Sequence, residues 1–239
     1  MSLIYIHTMH AFVGAINIET PPYVVINKYE AFETRQYQEQ IHAQVSYTAY
    51  GDNIFSGAGG GFRYLAGYIF GGNASRKGGN SESVAMTGPV LMKQQETIAM
   101  TGPVMMQKNS NGNGGTGSGG TAPPMVQMSF VMPSKYKSVS DLPIPDNRKV
   151  ELITVPPVKL AAIKFSWGMS PAYVASKEKE LRENAKLHGV KLSEDPSQIQ
   201  YAQYNPPWTL PFCRTNEILI PVVGDGAETE TVTDTCSKE

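Results

Sequence analysis

Cysteine is almost absent from this chain, with only Cys213 and Cys236 among 239 residues. That scarcity excludes a disulfide framework and fits a reducing compartment. Neither charge sign dominates: 20 Lys and Arg against 21 Asp and Glu leave a formal net charge of −1. The chain therefore lacks the electrostatic footprint of a nucleic-acid binder or of a protein drawn to an anionic membrane. No apolar run approaches the ~18 residues of a membrane span. The first 18 residues carry no Lys or Arg and are broken by His7, His10 and Gly14, unlike a secretory or transit peptide. A cytoplasmic protein is expected, with no membrane span and no nucleic-acid partner. Catalytic signatures are missing too: there is no G-x-S-x-G elbow, phosphate loop, H-E-x-x-H helix or dinucleotide fingerprint. The glycine-rich stretch Gly57 to Gly61 lacks the Lys-Ser/Thr of a phosphate loop and reads as an entry turn into a helix. No acid–base pair stands out, and the chain is not expected to be an enzyme.

What is present is the composition of an ordinary globular protein, 41% hydrophobic and 17% charged, of a size that an all-β or α+β barrel commonly fills as one domain. Short β runs at Tyr23 to Ile26 and Phe32 to Arg35 precede Ile41 to Tyr47, where apolar residues hold odd positions and polar residues even ones, the pattern of a half-buried strand. Phe62, Leu65, Ala66, Ile69 and Phe70 repeat at helical spacing and predict a helix over roughly 61–70. In the second half, Lys149 to Val155 and Val158 to Ser166 read as strands. Ser170 and Pro171 then open a helix, with Val174, Leu181 and Ala185 as its apolar stripe and Gly189 at its end. Each half thus runs strand, strand, helix, strand and has too few strands to close alone. The expected fold is α+β, a distorted antiparallel β-barrel built from two similar β-rich halves, each with one flanking helix. Residues 1–13 read as an N-terminal extension, 14–223 as the domain, and 224–239 as a disordered tail. The Gly/Ser/Asn stretch 109–121 reads as a flexible loop between the halves.

The run Tyr204 to Phe212, Y-N-P-P-W-T-L-P-F, leaves the backbone almost no helical option, since each proline fixes its own φ and biases the residue before it toward extended conformations. It predicts an ordered corner ahead of a strand at Arg214 to Ile220, with Trp208 filling a socket. Three further motifs accompany it: E-T-P-P-Y at Glu19 to Tyr23, A-M-T-G-P-V at 85–90 and again at 99–104, and M-x-F-x-x-P-S-x-Y at Met128 to Tyr136. One copy of the repeat is expected in the main strand, its proline favouring an edge or a bulge. These collinear motifs, spanning roughly 14–223, resemble the SOUL/haem-binding protein family, and the plant-type cytosolic branch in particular. The resemblance implies a protein that holds haem or another tetrapyrrole non-covalently, as carrier or buffer, in a groove bordered by the first helix.

From the residues alone, that helix has a second face on which Tyr64 and Tyr68 flank Gly67, with Arg63 adjacent. A small residue between aromatics makes a flat platform for a planar macrocycle, and Arg63, Arg76, Lys77 or Lys93 could meet its propionates; packing under a loop explains the same tyrosines. Phe62, Met86 and Met100 complete the candidate ligand-binding set. Eight of the eleven methionines lie between 86 and 132, soft side chains that suit an adaptable wall and more often belong to a core. Among the histidines, His42 is the weak candidate for an iron ligand, although a solvated histidine on the polar face of its strand is the simpler reading. His188 reads as a helix C-terminal residue favoured by the dipole. Glu33, Arg35 and Tyr37 resemble the family's strand motif; where some animal relatives carry a histidine between Arg and Tyr, this chain has Gln36. Arg35 and Arg214 read as structural ion-pair formers. A second functional reading makes the exposed helix face a docking surface for a partner protein, with haem affinity incidental.

Overall fold

The computed structural model of the protein describes residues 14–50, 53–95 and 124–224. The extension 1–13, the loop 109–121, the second A-M-T-G-P-V copy and all but the first residue of the tail lie outside them.

Strands β1 (Tyr23–Lys28), β2 (Glu33–Tyr37) and β3 (Gln40–Thr48) lead to helix α1 (Ala58–Ile69). The short β4 (Asn73–Ala74), then β5 (Val90–Gln94), β6 (Met125–Val131), β7 (Ile144–Pro145), β8 (Glu151–Val155) and β9 (Val158–Phe165) follow. Helix α2 (Pro171–Leu187), β10 (Gln200–Gln203) and β11 (Asn216–Pro221) complete the chain order. A nine-stranded sheet runs β1-β2-β9-β11-β10-β5-β6-β3-β8, antiparallel at every pairing, while β4 and β7 form a separate pair. The expected distorted barrel is present as a curled half-barrel, with β1 and β8 as its edges.

Both helices lie on one face of this sheet, and strand alternation sorts the side chains accordingly. Ala43 and Val45 of β3 and Met128 and Phe130 of β6 pack with Leu65, Tyr68 and Ile69 of α1. Ala161 and Ile163 of β9 and Ile218 and Ile220 of β11 pack with Val174, Leu181 and Ala185 of α2, the stripe its spacing predicts. Leu91, Leu160, Ala162 and Leu219, on the alternate positions, form a third cluster on the opposite face. Helix α1 approaches β3 closely because Gly61 carries no side chain: a Cβ there would come to 3.0 Å from the Tyr47 ring. Gly57 precedes the helix at φ +79°, a conformation suited to glycine.

Two expectations are corrected by this packing. Strand β3 is not half-buried: from Ile41 to Val45 both faces are covered, because α1 takes one side and the curl of the sheet encloses the other. His42 is therefore buried rather than solvated, at 7% exposure. Trp208 fills no socket and stands 59% exposed. The corner is fixed instead by Arg214, which donates to the carbonyls of Thr209 (2.9 Å) and Pro207 (2.6 Å), and by Trp167 N–H donating to the Pro211 carbonyl at 2.8 Å. With its backbone held from below, the Trp208 ring turns outward.

On the face away from the helices, Arg35 of β2 reaches Glu217 of β11 across the intervening β9, donating through Nη1 and Nη2 at 2.9 and 3.0 Å. Glu33 accepts from Arg35 Nε at 3.0 Å, Tyr37 from Nη1 at 3.3 Å, and Tyr204 donates to Glu217 at 2.7 Å. The guanidinium lies 4.3 Å from the centre of the Tyr23 ring. The pair is almost wholly buried, so removing one partner strands a charge. Glu217→Gln should cost about 3–5 kcal/mol of stability in urea unfolding, whereas the double change Arg35→Met with Glu217→Leu should recover most of that loss. A Glu217→Gln protein as stable as the parent would remove the pair from this role.

Candidate functional site

Two surfaces are candidate sites, one on each side of the sheet. The first is the outward face of α1. Leu65, Tyr68 and Ile69 turn into the core, and the helical period then leaves Gly59, Phe62, Arg63, Ala66, Gly67 and Phe70 on the far side. Phe70, the residue that ends the helix, is 69% exposed and Phe62 is 39% exposed, with Ala66 half-buried between them. Phe62 meets Phe130 edge-on at 5.5 Å between ring centres. Phe70 lies eight positions after Phe62, a rise of about 12 Å. A side chain built at Gly59, Gly60 or Gly67 would meet nothing within 4 Å, so the strip alongside is flat and open.

The residues singled out from the sequence are only partly brought together there. Phe62, Arg63 and Gly67 share the outward face. Tyr64 is half-buried at its margin, with Lys149 Nζ 5.0 Å from its ring centre and 3.4 Å from its hydroxyl. Tyr68 leaves the platform altogether: it is 2% exposed and its hydroxyl donates to the Pro143 carbonyl at 3.0 Å. Burial pushes its phenol well above the ordinary tyrosine range. Arg76 donates through Nε to the Leu142 carbonyl at 2.8 Å, a structural engagement. Met86 is exposed in the extended approach to β5. Met100 lies outside the described residues. The flat face is thus carried by phenylalanines and small residues, not by the tyrosine pair. The signal was present in the sequence as Phe62, Ala66 and Phe70 at four-residue spacing, but it was read there as core.

The second surface is a cavity of about 290 Å³ on the face opposite the helices. Residues from both edge strands, Tyr23 of β1 and Val155 of β8, line it together with Leu160, Leu219 and Tyr204. The sheet therefore curls around it. Ile16, Ile18, Thr20 and Pro21 also line it, so the segment ahead of β1 lies along the hollow as a strap. Glu19 pins that strap: its carbonyl accepts from Gly88 N–H at 2.9 Å, and its carboxylate from Ser134 N–H at 2.7 Å. Hydrogen bonds from Ser134 hold the Glu19 carboxyl below the usual range. The motifs E-T-P-P-Y, A-M-T-G-P-V and P-S-x-Y meet at this point, since Thr87 bridges to Glu19 and donates to the Val131 carbonyl. A second hollow of about 300 Å³ borders the strap near Tyr136.

His42 lines the cavity and not the helix face, because its strand neighbours Ile41 and Ala43 are the ones that pack toward α1. A macrocycle lying on α1 is beyond its reach. Its Nε2 lies 2.9 Å from Gln40 Oε1, and burial, with Lys93 nearby, lowers its pKa to about 4. Tyr37 is pushed up to about 12 by burial, and Tyr204 is raised by burial and by Glu217; both stay protonated at neutral pH. His188 donates through Nδ1 to the Asn184 carbonyl, 2.8 Å away, at the end of α2 and packs on Tyr29.

The chain is thus a curled antiparallel half-barrel that exposes an aromatic helix face and encloses a small cavity, with no cluster of three metal-ligating side chains among the described residues. The chain belongs to the SOUL heme-binding protein family, whose model matches residues 18–221. No curated protein sequence matches it. Among solved structures, a hydrolase from Listeria innocua is similar at 10% identity and a TM-score of 0.52, over 82% of this chain and 94% of that one. EcmrR in a complex with DNA is similar at 10% identity and a TM-score of 0.50, over 92% of this chain and 63% of that one. These two likenesses are of fold. No helix among the described residues is long and apolar enough to cross a membrane.

Burial of His42 sets an acid limit on the fold. Its folded pKa of about 4 lies below its ordinary 6.5, so the unfolded chain takes up this proton first. The stabilisation is complete above about pH 6.5 and is lost as pH falls through about 4, by up to ~3 kcal/mol. Thermal melts between about pH 4 and pH 7 should show a steeper acid decline for the parent than for His42→Leu. Parallel curves would place the acid sensitivity elsewhere.

Proposed function

We propose that the protein holds haem or another tetrapyrrole non-covalently against the outward face of α1, as a carrier or buffer. The observation that carries this reading is the exposed stripe Phe62, Ala66 and Phe70 beside Gly59 and Gly67, in a chain of a heme-binding family. A planar macrocycle laid across that stripe would contact both aromatic rings and the open glycine strip, with Arg63 at its edge for a propionate. Each phenylalanine is already partly exposed to water, so covering the two would contribute a few kcal/mol at ~25 cal/mol per Å². Met86 is the thioether that could approach such a ligand from the neighbouring segment. No imidazole among the described residues belongs to this face, which makes the binding mainly hydrophobic. We read the four motifs as a likeness to the plant-type cytosolic branch of the family, a reading that carries a cytoplasmic location with it. A second reading, favoured by the high exposure of Phe70, is that the same face docks a partner protein and haem affinity is incidental.

Gly67 offers a clean test, because its replacement meets open space and removes a poor helix former. Gly67→Phe should keep or raise the melting temperature while lowering haemin affinity about tenfold or more, read by Soret titration. Haemin and metal-free protoporphyrin should bind the parent with similar affinity. A sharp preference for haemin would overturn the ligand-free account of the iron, and undiminished binding by folded Gly67→Phe would overturn the site. Saturable capture of a protein partner, indifferent to haem and abolished by Phe70→Ser, would favour the second reading.

A further inference from the structure

The cavity on the opposite face of the sheet is not used by the proposed haem platform. At about 290 Å³ it is roughly twice the ~150 Å³ that admits benzene and sits at the lower end of small-molecule pockets, ~300–1,000 Å³. It suits a ligand smaller than a tetrapyrrole.

Its charges are unevenly engaged. Both acids of the buried cluster on this face, Glu33 and Glu217, are already bound to Arg35, and Glu217 accepts a third hydrogen bond from Tyr204. Lys164, which lines the cavity beside Glu217 and Thr215, has no carboxylate partner among the described residues. Lys93 has none either; strand alternation puts it on the same side as Leu91, and its charge acts on His42. The site of a cation over Tyr23 is filled by the Arg35 guanidinium. With Lys28 Nζ also 3.9 Å from Glu33, the two acids are balanced by two cations, and the charge left to be complemented is positive.

Polar capacity is also left over at the other end. The lining of β9 runs from Lys164 through Leu160 to Val158, six steps along the strand or about 20 Å. Val158 pairs with Tyr37 and Gln40 with Val155, so Gln38, Gln40 and His42 approach the trough from the end remote from Lys164. The bond of His42 Nε2 to an amide oxygen requires a proton on Nε2 and leaves Nδ1 as an acceptor. Nδ1 has no hydrogen bond among the described residues, and His42 lines the cavity, where a ligand can reach it. A ligand hydroxyl can therefore donate to it without displacing a protein partner.

We infer that this cavity is a second binding site, separate from the helix face, for an elongated hydroxy-carboxylate of medium chain length. Its carboxylate meets Lys164, its apolar body lies along Leu160 and Leu219, and its distal hydroxyl donates to His42.

The test is isothermal titration of the full-length protein with ω-hydroxydecanoate, decanoate and decyltrimethylammonium. The expected result is saturable one-to-one binding of ω-hydroxydecanoate, weaker binding of decanoate and none of the cation. Lys164→Met, an exposed change that leaves the core intact, should weaken both acids about threefold to tenfold. His42→Phe should erase the difference between the two acids. Absence of saturable binding, indifference to Lys164→Met, or a preference for the cation would overturn the site. Equal affinity of the parent for both acids would overturn the role of His42. Saturating haemin should leave ω-hydroxydecanoate binding unchanged, and its displacement would overturn the separation of the two sites. A protein that binds the hydroxy-acid but not haemin would sink the tetrapyrrole reading alone.

Discussion

A pair of charges with almost no access to water holds the sheet in its curled form. Arg35 and Glu217 sit on strands that do not touch each other, β2 and β11, with β9 between them. The bidentate bond between them ties three adjacent strands together on the side away from the helices. Tyr37 and Tyr204 fill the remaining hydrogen-bonding positions, so the cluster is satisfied without solvent. Such a pair contributes little net energy compared with apolar packing of the same volume, but its geometry is exacting, and breaking it is costly. The cavity wall containing Tyr37, Tyr204 and Glu217 is set by that geometry.

Because helices cover one face of the sheet and the curl encloses the other, strand alternation divides the chemistry of the chain in two. Odd positions of β3 belong to the α1 core, while His42, on an even position, lines the cavity. The same parity sends Ile218 to α2 and Leu219 to the third cluster. A tetrapyrrole on α1 and a small acid in the hollow would be separated by a full layer of sheet and would share no side chain. The strap from Ile16 to Pro21, pinned through Glu19 to the segments around Thr87 and Ser134, lies against the hollow and away from the helix face. Three of the family motifs converge on this strap, so they are explained by the architecture around the cavity more directly than by contact with a haem.

Much of the architecture was legible in the residues. The spacing of Val174, Leu181 and Ala185 identified the buried stripe of α2, Ser170-Pro171 and Gly189 marked its ends, and Arg35 was read as a structural ion-pair former. The site was less legible. A helix of small and aromatic residues has apolar side chains all round, and periodicity cannot tell which of two apolar faces meets the sheet. Gly61 settled it, since only that position lets the helix approach Tyr47 closely; Tyr68 then turned inward and Phe62 and Phe70 outward. Trp208 misled for a related reason. Prolines announce a rigid corner, but the hydrogen bonds that hold it came from Arg214, leaving the tryptophan ring free of structural duty.

The sequence by itself determined the class of elements, the order of the strands and helices along the chain, and the family, because these follow from local propensity, periodicity and motifs that lie within a few residues of one another. Only the tertiary structure decided which strands are neighbours, that Arg35 finds Glu217, that His42 is buried, and that a cavity exists at all. Those depend on pairings between residues far apart in the chain, and a curled sheet brings them together through packing that no local pattern encodes.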